Sequence, residues 1–277
     1  MGQPDFLVIG HVSKDLVGDG YRLGGTAAYA ALTARNLGRS VGVVTSAGPD
    51  LELGRLLSGI ELICLPSPYT TTFANVYGAE GRQQYIEAVA ERISEENIPA
   101  QWSRTGIVLL GPIAGEFGEE MIGLFPGSLV ALTPQGWLRS WDQEGRVYPK
   151  EWARASEFLP RVGALFVSEE DMQGPAGSLR TWLGLPYMCV VTEGGDGATL
   201  RYRLETMHCA PRPTEAVDPT GAGDVFAAAF LVRLDETDDP YQAARFANVA
   251  ASLSVERAGI ESVPERAQIE SHLKGTP

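Results

Sequence analysis

No uncharged apolar run in this sequence reaches the roughly 18 residues that a bilayer-crossing helix needs, so a membrane-spanning segment is not expected. Cysteine is scarce as well. Cys64, Cys189 and Cys209 are spread over 277 residues with no C-x-x-C pair, and there are only 3 histidines. That excludes a disulfide scaffold and a zinc cluster. Cys64 and Cys189 lie inside apolar runs and are expected to be small core residues. Positive charge is the sign in short supply: 22 Lys and Arg stand against 35 Asp and Glu, a net charge of −13. Such a surface repels phosphate backbones and anionic lipids, so no nucleic-acid or membrane partner is expected. A polyanionic ligand would need a locally positive pocket, built from backbone amides, a metal ion or a few arginines. The opening MGQPDFLVIGHVSKD has no basic n-region, and its sixth residue is Phe6 and neither Ser nor Thr. Secretion and N-myristoylation are therefore not expected, and a cytoplasmic location is. The first apolar run is followed by GHVSKD and not by G-x-G-x-x-G, so the fingerprint of a dinucleotide-binding oxidoreductase is missing too.

What is present is the composition of a soluble globular domain, with 44% hydrophobic and 21% charged residues. The length suffices for one large α/β domain. Segments 6–10, 41–45, 107–110, 129–133, 164–167 and 188–192 are rich in Val, Ile and Leu without polar alternation. Strands buried on both faces read this way. Helical patterns lie between them, such as 26–37, closed by Gly38, and 224–234, with Phe226, Phe230 and Leu234 on one face. Alternation of this kind predicts a mostly parallel central sheet flanked by helices, with ligands beyond the carboxyl ends of the strands. Segments 70–77 and 83–89 are instead β-favouring and joined by the turn-rich 78–82, which predicts an inserted hairpin. A lone hairpin is marginal, so it should pair with another segment, plausibly 16–23. The expectation is a single domain over 1–277, with lid segments at about 16–23 and 70–89.

The strongest chemical signal is AVDPTGAGDVFAAAFLVRL, residues 216–234. Gly221, Ala222 and Gly223 lead straight into a helix beginning near Asp224. Successive N–H groups at a helix N-terminus attract an anion, and residues with little side chain allow it close approach. A carboxylate at that mouth can take the proton of a hydroxyl attacking a phosphoryl group while the amides stabilise the transferring oxygens. A turn with an N-capping Asp would look similar, but Asp218 and Thr220 place further polar groups on the turn without a hydrophobic reason.

DPTGAGD before a small-residue helix closely resembles the signature of the ribokinase-like (pfkB) carbohydrate kinases, and LGGTAAYAALTARNLG (23–38) resembles that family's N-terminal signature. Both stand in the family's order, so the resemblance covers almost the whole chain. It implies a ribokinase-like fold with a β-lid, and transfer of the ATP γ-phosphate to a sugar or polyol hydroxyl with Mg2+. Asp224 would be the base and Gly221, Ala222 and Gly223 the anion hole. The resemblance makes Asp15 an acceptor-binding carboxylate, suited to two adjacent hydroxyls, and Gly24 and Gly25 the pair along which the chain passes close to substrate. Asn75 and Arg82 fall in the lid that reaches over it. In VVTEGGDGATL (190–200), Thr192, Glu193, Gly195 and Gly197 match the nucleotide-side loop, although a tight hairpin turn also accounts for the glycines. Asn248 matches a helix beside the adenine. Asp218, Thr220 and Ser262 resemble positions that hold a monovalent cation, K+, in some members.

Two departures stand out. Where the family often has Asn-x-x-Glu for Mg2+, this chain has Ser168-Glu169-Glu170-Asp171, which shifts metal placement to Asp171, Glu170 or both through water. Tyr29 stands where many sugar kinases carry a substrate-contacting Asn, and an aromatic there is expected to narrow the pocket. GHVSKDLV, LGGTAAYAA, TPQGWLRSWDQEGRV and VTEGGDG look most like the branch with plant-type myo-inositol kinases, in which 134–136, with Gln135, and Arg139 lie near the acceptor. A nucleoside kinase of the same fold is the alternative, with Tyr29, Phe73 or Tyr77 stacking on a base. A non-catalytic sugar-binding member is a further one. Monomer and homodimer are both compatible with so short a lid.

Overall fold

The structure, a computed structural model, describes residues 2–78 and 81–274, and the side chains of all of these except 77, 78, 81 and 82. In chain order the strands are β1 (Phe6–Ile9), β2 (Ser13–Val17), β3 (Gly20–Gly24), β4 (Val41–Ala47), β5 (Glu61–Pro66), β6 (Thr71–Gly78), β7 (Gly81–Ala88), β8 (Ile107–Leu110), β9 (Leu129–Leu132), β10 (Arg139–Trp141), β11 (Val147–Pro149), β12 (Ala164–Ser168), β13 (Met188–Thr192), β14 (Ala198–Tyr202) and β15 (Glu205–Cys209). The helices are α1 (Thr26–Asn36), α2 (Leu53–Leu56), α3 (Ala155–Phe158), α4 (Ala222–Thr237), α5 (Pro240–Ser254) and α6 (Arg266–Lys274).

Nine strands form the central sheet in the order β15-β14-β13-β12-β9-β8-β1-β4-β5. From β13 to β5 every pairing is parallel, and β14 and β15 add antiparallel strands at one edge. The apolar runs are uninterrupted because both faces are covered. Phe6 and Val8 of β1 join Ile107 and Leu109 of β8 in one core, while Leu7 and Ile9 join Val108 and Leu110 in the other. The first core packs under α1, α4 and α5, whose buried faces are largely alanine, so the helices approach closely. The second is closed by Trp102, Phe117, Met121, Trp137, Trp152 and Leu179, carried mainly on 3₁₀ turns and loops. Cys189 is in this second core, and burial pushes its thiol up to about 12. Cys64 departs from the sequence-based expectation and is exposed. It lies on β5, the edge strand, where one side of the sheet has no further strand to cover it.

The predicted lid is a second sheet of order β3-β2-β6-β7. β6 and β7 form the hairpin, and β2 joins it in parallel to β6 while pairing antiparallel with β3. The β10–β11 hairpin docks against it, with the Ile86 N–H donating to the Gly145 carbonyl at 2.8 Å. Phe73, Ile86, Ile113 and Ala114 make a small apolar core beneath the lid.

Candidate active site

The motif glycines start α4 in a way few other residues would allow. Gly221 is the N-cap with φ 77° and ψ −1°, a left-handed conformation that disfavours side chains. The space a Cβ would fill there is taken by the ring of Tyr29. Tyr29 comes from α1 and is 1% exposed. Rather than narrowing the pocket from the front, its ring backs the turn. Ala222 N–H bonds to the Pro219 carbonyl at 3.2 Å and Val225 N–H to Gly221 at 2.9 Å, whereas Gly223 and Asp224 have no backbone acceptor in the described residues. A Cβ built on Gly223 would meet nothing within 4 Å, so the turn is open at that position.

Asp224 sits in that first turn, and the Thr26 hydroxyl, at the start of α1, donates to its carboxylate. The N-termini of the two helices that carry the sequence signatures thus meet. Burial pushes Asp224 up to about 7. The Thr26 bond works against this, Asp171 and Asp15 add to it, and Arg139 opposes it. Asp15, on β2, accepts from Ser13 Oγ at 3.2 Å, and its carboxylate occupies the space a side chain on Gly24 would need. Gly25, with φ 87°, then opens α1. Asp15 from the lid side and Asp171 beyond β12 therefore both act on Asp224 at the start of α4.

A polar chain closes the opposite wall. Asn75 Oδ1 accepts from Gln84 Nε2 at 3.3 Å across the lid hairpin, and Gln84 Oε1 accepts from Arg139 Nη1 at 3.0 Å. Arg139 Nη2 lies 3.5 Å from Asp171 Oδ1, which also accepts from Gln135 Nε2 at 3.4 Å. The other Asp171 oxygen takes the Ser168 hydroxyl at 2.7 Å. Asn75, Gln135, Arg139, Ser168 and Asp171 are thus joined through Gln84, a residue that sequence reasoning passed over. The Arg82 side chain lies outside the described residues.

Residues 183–266 match the model described as pfkB family carbohydrate kinase. A cytidine kinase of Thermococcus kodakarensis is 30% identical over 254 residues, covering 82% of this chain and 87% of that enzyme. The chain belongs to the pfkB family of carbohydrate kinases. An inositol 3-kinase of Zea mays is 27% identical over 281 residues, covering 92% of this chain and 73% of that enzyme. A solved pyrophosphate-dependent kinase of the ribokinase family shares the fold, with a TM-score of 0.81 at 24% identity, covering 96% of this chain and 99% of that one. The ribokinase-like sheet with its lid and the kinase class of the enzyme agree with the expectations drawn from the sequence.

Glu193, Gly195 and Gly197 lie in the tight turn between the antiparallel β13 and β14, and Thr192 ends β13. Glu193 accepts from the Thr199 hydroxyl at 2.7 Å. Asn248, on α5 and 7% exposed, gives its amide to the carbonyls of Cys209 at 3.2 Å and Ala210 at 2.6 Å, which ties the exit of β15 to the helix. In the signature turn, Asp218 takes the Thr220 N–H at 3.0 Å and Arg22 Nη1 at 2.8 Å. Burial alone would push its carboxyl up, but Thr220, Arg22 and the Gly259 N–H together hold it below the usual range. The Ser262 hydroxyl donates to the Gly259 carbonyl at 2.7 Å. These contacts brace the signature turn from β3 and from the turn at Ile260–Ser262.

Sequence reasoning also missed the strap that holds the floor of the site. Glu116, 1% exposed, accepts from the N–H groups of His11 at 2.7 Å, Ile113 at 3.0 Å and Ala114 at 2.8 Å, joining the loops after β1 and β8. The His11 ring continues the strap to the Glu91 carbonyl at 2.9 Å and to Thr71 of the lid at 2.8 Å. A glutamate in GPIAGEF gives no local signal of the strap, because its third donor, His11, lies 105 residues away in the chain.

Proposed function

We propose that this pfkB kinase transfers the γ-phosphoryl group of ATP to a hydroxyl of a small polyol or sugar, with a cyclitol such as myo-inositol as the leading acceptor class. The observation that carries the reading is Asp224, a carboxylate with its pKa near neutrality, at the open mouth of two unpaired helix N–H groups. In the reaction the acceptor oxygen bonds to the γ-phosphorus, the bond to the β,γ-bridging oxygen breaks, and ADP leaves. The hydroxyl proton passes to Asp224. The N–H groups of Gly223 and Asp224 face the charge on the transferring oxygens, in a preorganised arrangement. Asp15 accepts from neighbouring hydroxyls and orients the ring, and Arg139, Gln135 and Asn75 bound the far wall.

Kinases of the family use ATP, typically with Mg2+. Among the described residues no group of three or more metal-binding side chains comes together. This fits Mg2+, which keeps several waters and needs one or two carboxylates besides the donor phosphates. Asp171 and the neighbouring exposed Glu170 would hold it, with Ser168 fixing Asp171. Bound there, Mg2+ would neutralise phosphate charge.

The polyol reading is favoured over a nucleoside acceptor because two of the three aromatic candidates for base stacking are occupied. Tyr29 backs Gly221 and Phe73 is in the lid core. The test is a turnover screen of myo-inositol, ribose, cytidine and related compounds with ATP or pyrophosphate as donor, comparing the natural protein with Asp224→Asn. Turnover of a polyol with ATP, lost in the variant, supports the reading. Normal turnover in the variant, or a clear preference for cytidine, overturns it.

A further inference from the structure

Asp15 and Arg22 stand directly opposite each other on β2 and β3, the last two strands at one end of the lid sheet. Residues paired in this way present their side chains on the same face of a sheet. Arg22 Nη1 reaches Asp218 Oδ2 at 2.8 Å, in the turn that leads into α4. Asp218 is fixed on its other side as well. Its Oδ1 takes the Thr220 N–H at 3.0 Å, and its own N–H bonds the Val255 carbonyl at 3.1 Å, just past the end of α5. Gly221, the N-cap of α4, follows closely in the chain. Burial, and then the charges of Asp218, Asp15 and Asp224, push the Tyr29 hydroxyl up, and Arg22 opposes them. A single cation of the lid therefore stands among the carboxylates of the acceptor strand, the signature turn and the proposed base.

As a surface contact the ion pair contributes little to stability, because the Arg22 side chain is 43% exposed and salt screens it. We infer that Arg22 is a positioning residue: it holds the β2–β3 arm of the lid against the signature turn, so that Asp15 and the N–H groups opening α4 keep one spacing. The inference rests on the kinase reading above, in which Asp15 orients the acceptor and the α4 turn faces the transferring phosphoryl group. β3 ends the lid sheet, and the chain leaves it through Gly24 and the left-handed Gly25, so the arm has no further strand to steady it. A misplacement of about 1 Å between acceptor and cradle is enough to cost roughly a hundredfold in rate. The planar guanidinium fixes direction as well as distance, which a lysine ammonium does not.

The experiment measures kcat and KM for Arg22→Gln, Asp218→Asn and the double variant, with ATP and whichever of myo-inositol, ribose or cytidine the natural protein turns over fastest. Asp218→Asn keeps an oxygen for the Thr220 N–H and loses only the charge that Arg22 holds. Arg22→Gln is expected to lower kcat by roughly tenfold or more, with KM for ATP within about threefold and the thermal melt unchanged. Arg22→Lys should recover part of the loss. The double variant should be no slower than the slower single one, because both substitutions break the same contact. A pair with a merely structural role would lower the melting temperature and leave kcat of the folded protein alone. A kcat within about twofold in Arg22→Gln, a loss that tracks a lowered melt, or losses that multiply in the double variant would overturn the inference. Asp224→Asn separates it from the reading beneath. If Asp224→Asn is inactive and Arg22→Gln is normal, the inference alone falls. If the natural protein phosphorylates none of the acceptors, or Asp224→Asn stays active, both fall.

Discussion

The ring of Tyr29 fills the space beside Gly221 where any other residue would carry its Cβ. The left-handed turn that presents the N–H groups of Gly223 and Asp224 is therefore fixed by a side chain from the other signature helix. Gly221→Ala meets both the ring and an unfavourable φ, and is expected to lower kcat by roughly a hundredfold and stability by about 2 kcal/mol. Tyr29→Phe keeps the ring and should hold kcat within a few-fold. Steady-state kinetics beside urea denaturation separate the two effects, and equal losses in both variants would refute a ring-based role.

With Asp224 as the proposed base, Thr26 and Asp224 should set the working pH. As the carboxylate must be ionised to take a proton, kcat/KM should fall on the acid side with an apparent pKa of about 7. Thr26→Val removes the donor that favours the charged form, so the acid limb should move to higher pH. Thr26→Ser should leave it in place. A pH profile of the three proteins gives the answer, and an unmoved limb in the Val variant would show that the hydroxyl has no such influence.

Stability should show the same group with the opposite sign. Burial first, then Asp171 and Asp15, raise Asp224 from 3.8 to about 7 in the folded protein. The folded state keeps a proton that the unfolded chain releases, so this contribution to stability is complete below 3.8 and lost as pH rises through about 7. Asp224→Asn is expected to be the more stable protein at about pH 8, by at most roughly 4 kcal/mol, with the gap narrowing toward about pH 5. Thermal melts across that range would show no such trend if the carboxyl titrated normally.

Glu116 is predicted to matter for the fold before it matters for chemistry. Glu116→Ala leaves three buried N–H groups without an acceptor and should cost about 3 kcal/mol or more. Glu116→Gln keeps one carbonyl oxygen and should lose less. Urea unfolding measures both, and a loss below about 1 kcal/mol in the Ala variant would mean that the loops hold without the strap.

The two-faced burial of the sheet was legible in the sequence, since Val, Ile and Leu without alternation fit little else. The small-residue turn before α4 was legible for the same kind of local reason: an anion site at a helix start needs bare backbone, and bare backbone is visible as glycine and alanine. Gly24 and Gly25 were legible as a pair, while the reason for Gly24, the Asp15 carboxylate beside it, was not. Other features depended on chain pairings that no local window contains. Arg22 reaches Asp218 across 196 residues of sequence, Glu116 reaches His11 across 105, and Arg139 reaches Gln84 across 55. Cys64 read as core because its neighbours are apolar, and only the position of β5 at the sheet edge exposed it.

By itself the sequence determined the class of protein and the small-residue turn that opens α4, because periodicity and backbone freedom are local properties. The tertiary structure decided what surrounds Asp224 in that turn: Thr26 beside it, Tyr29 behind Gly221, and Asp15, Asp171 and Arg139 close enough to act on its charge. Burial and neighbouring charge set a carboxylate's pKa, and both depend on which distant segments the fold brings together.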